Sequence, residues 1–120
     1  MWDSNKITRW IYEENPCGSG AWPRMAGLLS SGGSSYYDIE PDYFCLHLIT
    51  RGAGTLRTGG YDWPLRPGTV FTHWPGKHSQ YFEDASSPWE FSWIHIAGPG
   101  AEAFVRSCGL TDGKPFLMMA

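Results

Sequence analysis

The chain has 120 residues, enough for one hydrophobic core and too few for two independent ones. Lys and Arg number 9 against 12 Asp and Glu, a net charge of -3, which argues against a surface built to neutralise phosphates and against direct nucleic-acid binding. Hydrophobic residues make up 42% and charged residues 18%, a globular balance, and no apolar stretch approaches the length of a membrane span.

No basic start followed by an apolar core opens the sequence, which predicts a cytoplasmic protein. Three cysteines, Cys17, Cys45 and Cys108, form no CxxC pair, and their odd number suits free thiols in a reducing compartment. The 16% aromatic content, with 15 Gly and 9 Pro, favours many short strands punctuated by turns, an all-β chain.

Residues 1–35 alternate brief apolar groups with Asn15–Gly20 and Ser30–Ser35, both of turn composition, and predict an N-terminal arm with one or two edge strands. A disordered linker is the alternative for residues 1–20. Residues 36–120 then form the folded body of a single domain. Tyr43–Ile49 has the length and residue types of a strand, ended by Arg51–Gly54. Thr55–Thr58 and Tyr61–Leu65 flank Gly59-Gly60, which predicts a two-residue hairpin.

Thr69–Trp74 follows the turn at Pro67-Gly68 and stops at Pro75-Gly76, because proline cannot donate to a central ladder. His78–Phe82 is short and extended. Trp89–Ile96 alternates, placing Trp89, Phe91, Trp93 and His95 on one face and Glu90, Ser92, Ile94 and Ile96 on the other, with both faces covered. Ala101–Gly109, with Pro99 near its start and Gly109 at its end, predicts a short helix. The apolar tail Lys114–Ala120 is either a last strand packed on the barrel or the start of more chain. Short strands at turn-punctuated intervals describe a small barrel or jelly roll with an open mouth for a ligand.

Four linked stretches, Phe44–Arg57 (FCLHLITRGAGTLR), Trp63–Phe71 (WPLRPGTVF), Pro75–His78 (PGKH) and Pro88–Pro99 (PWEFSWIHIAGP), resemble the N-terminal sensor domain of AraC-type transcription regulators. The resemblance runs over about residues 40–108 and implies a cupin-type jelly-roll barrel. It also implies that the barrel binds a small effector, commonly a sugar, and signals to a separate C-terminal helix-turn-helix domain that binds DNA. Nothing after Gly109 has room for that domain, so only the sensing role is assigned, with a homodimer as an open option.

Cupin enzymes hold a metal with two His and a Glu from a first motif and a His from a second. Here the place of the glutamate, counted back from Gly52, falls on Cys45, and no His-x-His pair precedes it. His78 matches the second-motif histidine, with one residue between it and Gly76 where the family has two. No metal and no cofactor are expected, and an enzyme with an improvised site from Cys45, His47, His73 and His78 is the alternative. No nucleophile elbow, phosphate loop or convergent carboxylate pair supplies a catalytic residue, and Arg51–Gly54 lacks the following helix of a phosphate cradle.

For the effector, resemblance to the arabinose-sensing member assigns stacking to Trp93 and a neighbouring contact to Phe91, and His95 shares their face. Trp89 is read as barrel filling. Strand parity groups Tyr43, Cys45, His47 and Ile49, so that His47 points inward, while the family places contacts near His78, Gln80 and Tyr81, the missing residue before His78 leaving the choice between Gln80 and Tyr81 open. His73 and Trp74 are read as a mouth or a solvent-facing rim. Glu40, before Pro41, stands where sugar-binding members often carry arginine, which favours a neutral polyol or a cationic ligand over a sugar phosphate.

Overall fold

The computed structural model describes residues 6–11, 20–31 and 35–118. Among them lie strands β1 (Lys6–Ile11), β2 (Trp22–Ser30), β3 (Tyr36–Ile39), β4 (Phe44–Arg51), β5 (Gly54–Thr58), β6 (Tyr61–Leu65), β7 (Thr69–His73), β8 (Ser79–Glu83), β9 (Glu90–Ala97) and β10 (Phe116–Met118), with helix α1 (Ala101–Ser107) between the last two. One sheet runs β1-β2-β9-β4-β7-β10 and the other β3-β8-β5-β6, and the pairings are antiparallel. The two sheets face each other as a jelly roll, the architecture expected from the turn spacing, and of the cupin type that the resemblance implies.

Local chemistry sets the element ends. Gly59 and Gly60 have φ of 61° and 81°, the left-handed pair that a tight hairpin needs, and they join β5 to β6 with Thr58 opposite Tyr61. Helix α1 carries Glu102 in its first turn and Arg106 in its last, an i,i+4 pair 3.0 Å apart aligned with the helix dipole. The chain is helical through Ser107 and turns at Cys108 and Gly109, two residues short of the expected span.

The N-terminal region differs from its expectation. β1 is an edge strand, but β2 lies inside the sheet, bonded to β1 on one side and β9 on the other. Its Ser- and Gly-rich flanks disguise a nine-residue strand that buries Gly27 and Leu29 and exposes Leu28 between them. The expected turn at residues 15–19, Cys17 and the last two residues of the tail lie outside the described residues. β10 packs back against β7, so the tail closes the large sheet. Cys45 is buried and Cys108 exposed, both as free thiols.

Two apolar clusters follow from the two-faced strands. The inner one gathers Leu29, Ile49, Leu56, Leu65, Phe71, Tyr81, Trp89 and Phe91 between the sheets. The outer one packs Phe44 and Ile96 against Ala101, Val105 and Leu110, so α1 covers the other face of β4 and β9. A buried carboxylate ties the inner region together. Glu83 accepts from the Ser35 backbone N–H at 2.7 Å and the Ser31 hydroxyl at 2.5 Å on Oε1, and from the Trp89 N–H at 2.8 Å on Oε2. It pins the chain entering β3 and the chain entering β9, and these charge-assisted bonds offset the cost of burying it.

Candidate functional site

Between the sheets, beyond the packed inner cluster, lies a cavity of about 310 Å³, at the small end of the range for small-molecule sites. β9 contributes Phe91, Trp93 and His95 to it, β4 contributes Cys45 and His47, and Tyr43 precedes β4. Alternation puts these residues on one face of each strand. β7 supplies His73, β8 Tyr81, β3 Tyr37 and Ile39, and the N-terminal strands Ile7, Met25 and Leu29. Among the described residues, no charged side chain lines it.

Aromatic rings form most of this wall. Tyr37 stacks on Tyr81 with centroids 4.6 Å apart, His47 stacks on Phe71 at 4.4 Å, and Tyr43 stacks on His95 at 4.3 Å. Trp93 meets Phe91 edge-on at 6.1 Å. Its six-membered ring fills the space that a side chain at position 27 would need, so Gly27 of β2 is the seat that allows the indole to lie across the strand.

The polar groups in the wall are held neutral. Burial, followed by the charges His73 and His95 would carry, lowers the His47 pKa well below the ordinary imidazole value, and burial pushes His73 down to about 3. Burial raises the Cys45 thiol and the Tyr81 phenol, so both keep their protons. His47 Nε2 lies 3.8 Å from Cys45 Sγ, and His73 Nδ1 lies 3.3 Å from the Ser79 hydroxyl. Among the described residues, Nδ1 of His47 and Nε2 of His73 are buried without a hydrogen-bond partner.

The expected site residues therefore divide. Trp93, Phe91, His47, Tyr81 and His95 meet in one cavity. His78 and Gln80 do not line it: both bond the carboxylate of Asp38 on the outside of the small sheet, His78 through Nε2 and Gln80 through its amide at 3.1 Å. Those two bonds, Gln80's first, lower the Asp38 pKa. The physical reason is parity, since β8 turns Ser79 and Tyr81 inward and Gln80 outward.

Glu40 is exposed and lines no described cavity, so the ligand-class argument built on it has no support. Trp89 is fully buried in the inner cluster, as a filler. His73 is a buried wall residue rather than a rim, whereas Trp74 packs edge-on against Phe44 and under the Arg106 guanidinium beside α1. Sequence reasoning passed over Tyr37, Ile39, Met25 and Leu29. The alternation of Tyr37 with Ile39 was the available signal, though four residues are too few to distinguish a strand from a loop.

The improvised metal site also comes apart. His78 lies outside with Asp38, away from Cys45, His47 and His73 of the cavity wall. Among the described residues no group of three or more His, Cys, Asp or Glu side chains is arranged to hold a metal ion. The donor set does not fit the ion that metal-dependent cupin enzymes use.

Comparison with solved structures gives cupin barrels. The Cnp3 cupin domain of Schizosaccharomyces pombe aligns with a TM-score of 0.61 at 12% identity, over 92% of this chain and 75% of that one. A cupin 2 conserved barrel domain protein from Salinispora arenicola aligns at 0.60 and 10% identity, over 88% and 86%. At these identities the likeness speaks for the fold alone.

In sequence, the chain is 28% identical over 72 residues to the lactose operon transcription activator of Staphylococcus xylosus, which covers 60% of this chain and 26% of that protein. The chain thus matches about a quarter of the length of that relative. Residues 35–119 match the family model of the AraC-like ligand binding domain. With most of the chain matched and a cupin barrel enclosing a ring-lined cavity, the protein belongs to the AraC-like ligand-binding domain family.

Proposed function

We propose that this domain senses a small neutral effector of sugar or polyol type, held in the 310 Å³ cavity with one face against Trp93. The observation that carries this reading is the wall itself: flat rings for the C–H face of a sugar, a few neutral polar groups for its hydroxyls, and, among the described residues, no charged side chain. A charged guest would lose its hydration with no counter-ion in that wall, which favours a neutral one. The unpartnered nitrogens of His47 and His73 are the kind of buried group that a guest hydroxyl would satisfy. That a similar protein is named for the lactose operon supports the sugar class.

In this reading the domain is not an enzyme, and binding acts by favouring one arrangement of a longer regulator over another. DNA would be contacted through a separate helix-turn-helix domain of that regulator, in the cytoplasm and in a protein able to pair with a second copy. Tryptophan emission and melting temperature, titrated against a panel of neutral carbohydrates, test the assignment. An effector at a hundred times its Kd stabilises the fold by about 2.7 kcal/mol, and Trp93→Leu abolishes that gain. If no neutral carbohydrate alters emission or melting, the sugar assignment fails and the fold assignment stands.

A further inference from the structure

A second cavity, of about 510 Å³, adjoins the first and shares Met25, Tyr43 and His95 with it. The stacked pair Tyr43 and His95 lines both cavities. Unlike the first, this compartment carries charge, from Arg24 and Asp42 in its wall. Among the described residues, neither has a hydrogen-bond or ion-pair partner.

Arg24 sits at a break in the pairing. In the β2–β9 ladder Pro23 sits opposite Ile96 and Met25 opposite His95, so Arg24 is an extra residue in a bulge. Arg24 and Met25 both line this cavity, as do the consecutive residues His95, Ile96 and Ala97 of β9, so it lies at the strand ends where both faces are within reach. Bulges of this kind recur where a side chain must be re-aimed toward a ligand.

The geometry points to a two-compartment site for a neutral glycoside of at least two rings, the first ring against Trp93 and the second bonded by Arg24 and Asp42. This rests on the sugar reading above and extends it outward. A neutral hydroxylated ring accepts from the guanidinium and donates to the carboxylate at once. An anion in the outer compartment meets Asp42, and a cation meets Arg24, so the pair selects for uncharged, hydroxyl-rich chemistry. The Tyr43 and His95 rings would flank the linkage, and burial, followed by the Arg24 charge, lowers the His95 pKa, keeping that ring neutral there.

The test compares galactose with lactose and glucose with maltose and cellobiose, by calorimetric titration of the wild type, Arg24→Ala and Asp42→Asn. Both residues are exposed, so neither substitution threatens the fold. The expected result is that one disaccharide binds at least about tenfold more tightly than its monosaccharide. Either substitution then removes that advantage and leaves monosaccharide affinity unchanged. Equal affinity for mono- and disaccharides, or disaccharide binding indifferent to both substitutions, overturns the outer compartment while the inner site stands. If the wild type binds none of these sugars, both readings fall together.

Discussion

The two ends of the barrel interior are built from the same strands and differ in what those strands carry. At the filled end, Ile49 of β4, Phe71 of β7 and Phe91 of β9 close around Trp89, Leu56 and Leu65. Two residues further along each strand, on the same face, stand His47, His73 and Trp93, and the packing opens into a cavity. A jelly roll thus needs a solid core at only one end. The other end can carry polar groups because the first supplies the burial that holds the sheets together.

Substitutions on the two sides should separate stability from binding. The largest effect is expected from Trp89→Ala at the filled end, which empties the centre of the inner cluster and should lower unfolding free energy by about 3–5 kcal/mol in urea titrations. A loss below about 1 kcal/mol would mean that the filled end does not carry the fold.

Acid should act mainly at the cavity end. His73 binds its proton in the unfolded chain near pH 6.5 and in the folded chain only near pH 3. Its contribution to stability is therefore complete above about pH 6.5 and is lost as pH falls toward 3, with a slope of up to about 1.4 kcal/mol per pH unit. Burial displaces His47 in the same direction. In His73→Asn the slope of stability against pH between 6 and 4 should flatten, and an unchanged slope would show that this imidazole is not buried neutral.

At the boundary between the two regions, Gly27→Ala drives a methyl group into the Trp93 ring and should cost about 1–3 kcal/mol. Combined with Trp93→Leu, the part of that cost due to the ring should disappear, leaving the part due to the Thr8 carbonyl, which the added methyl also meets, since the coupling between residues in contact is what a double-mutant cycle reads. Additive losses would place the strain elsewhere. The smallest effect is expected at His78, which is more than half exposed and bonded to an exposed carboxylate. His78→Ala should leave both the melting temperature and carbohydrate binding within experimental error, whereas a lost response to sugar would return His78 to the site.

Turn chemistry makes most of the fold legible in the residues themselves. Gly59-Gly60, Pro67-Gly68 and Pro75-Gly76 each mark the end of a strand, because positive φ and a missing N–H are local properties of the residue. Parity along β9 and β4 also placed Phe91, Trp93, His95, Cys45 and His47 together correctly, since period two is fixed by the backbone. The errors came where register had to be counted across a gap. One residue fewer between Gly76 and His78 left open which of Gln80 and Tyr81 faces inward, and the answer depended on the pairing of β8 with β3 and β5.

The sequence alone thus determined an all-β chain, its hairpin, its helix and the inward set of its two long strands, because glycine, proline and alternation act within a few residues. Only the tertiary structure decided that β2 lies inside the sheet, that a bulge falls at Arg24 beside the outer compartment, and that the barrel is packed at one end and hollow at the other. Those features depend on which strands pair and in what register. Pairing is a long-range choice, settled by the burial of whole faces rather than by any one residue's preference.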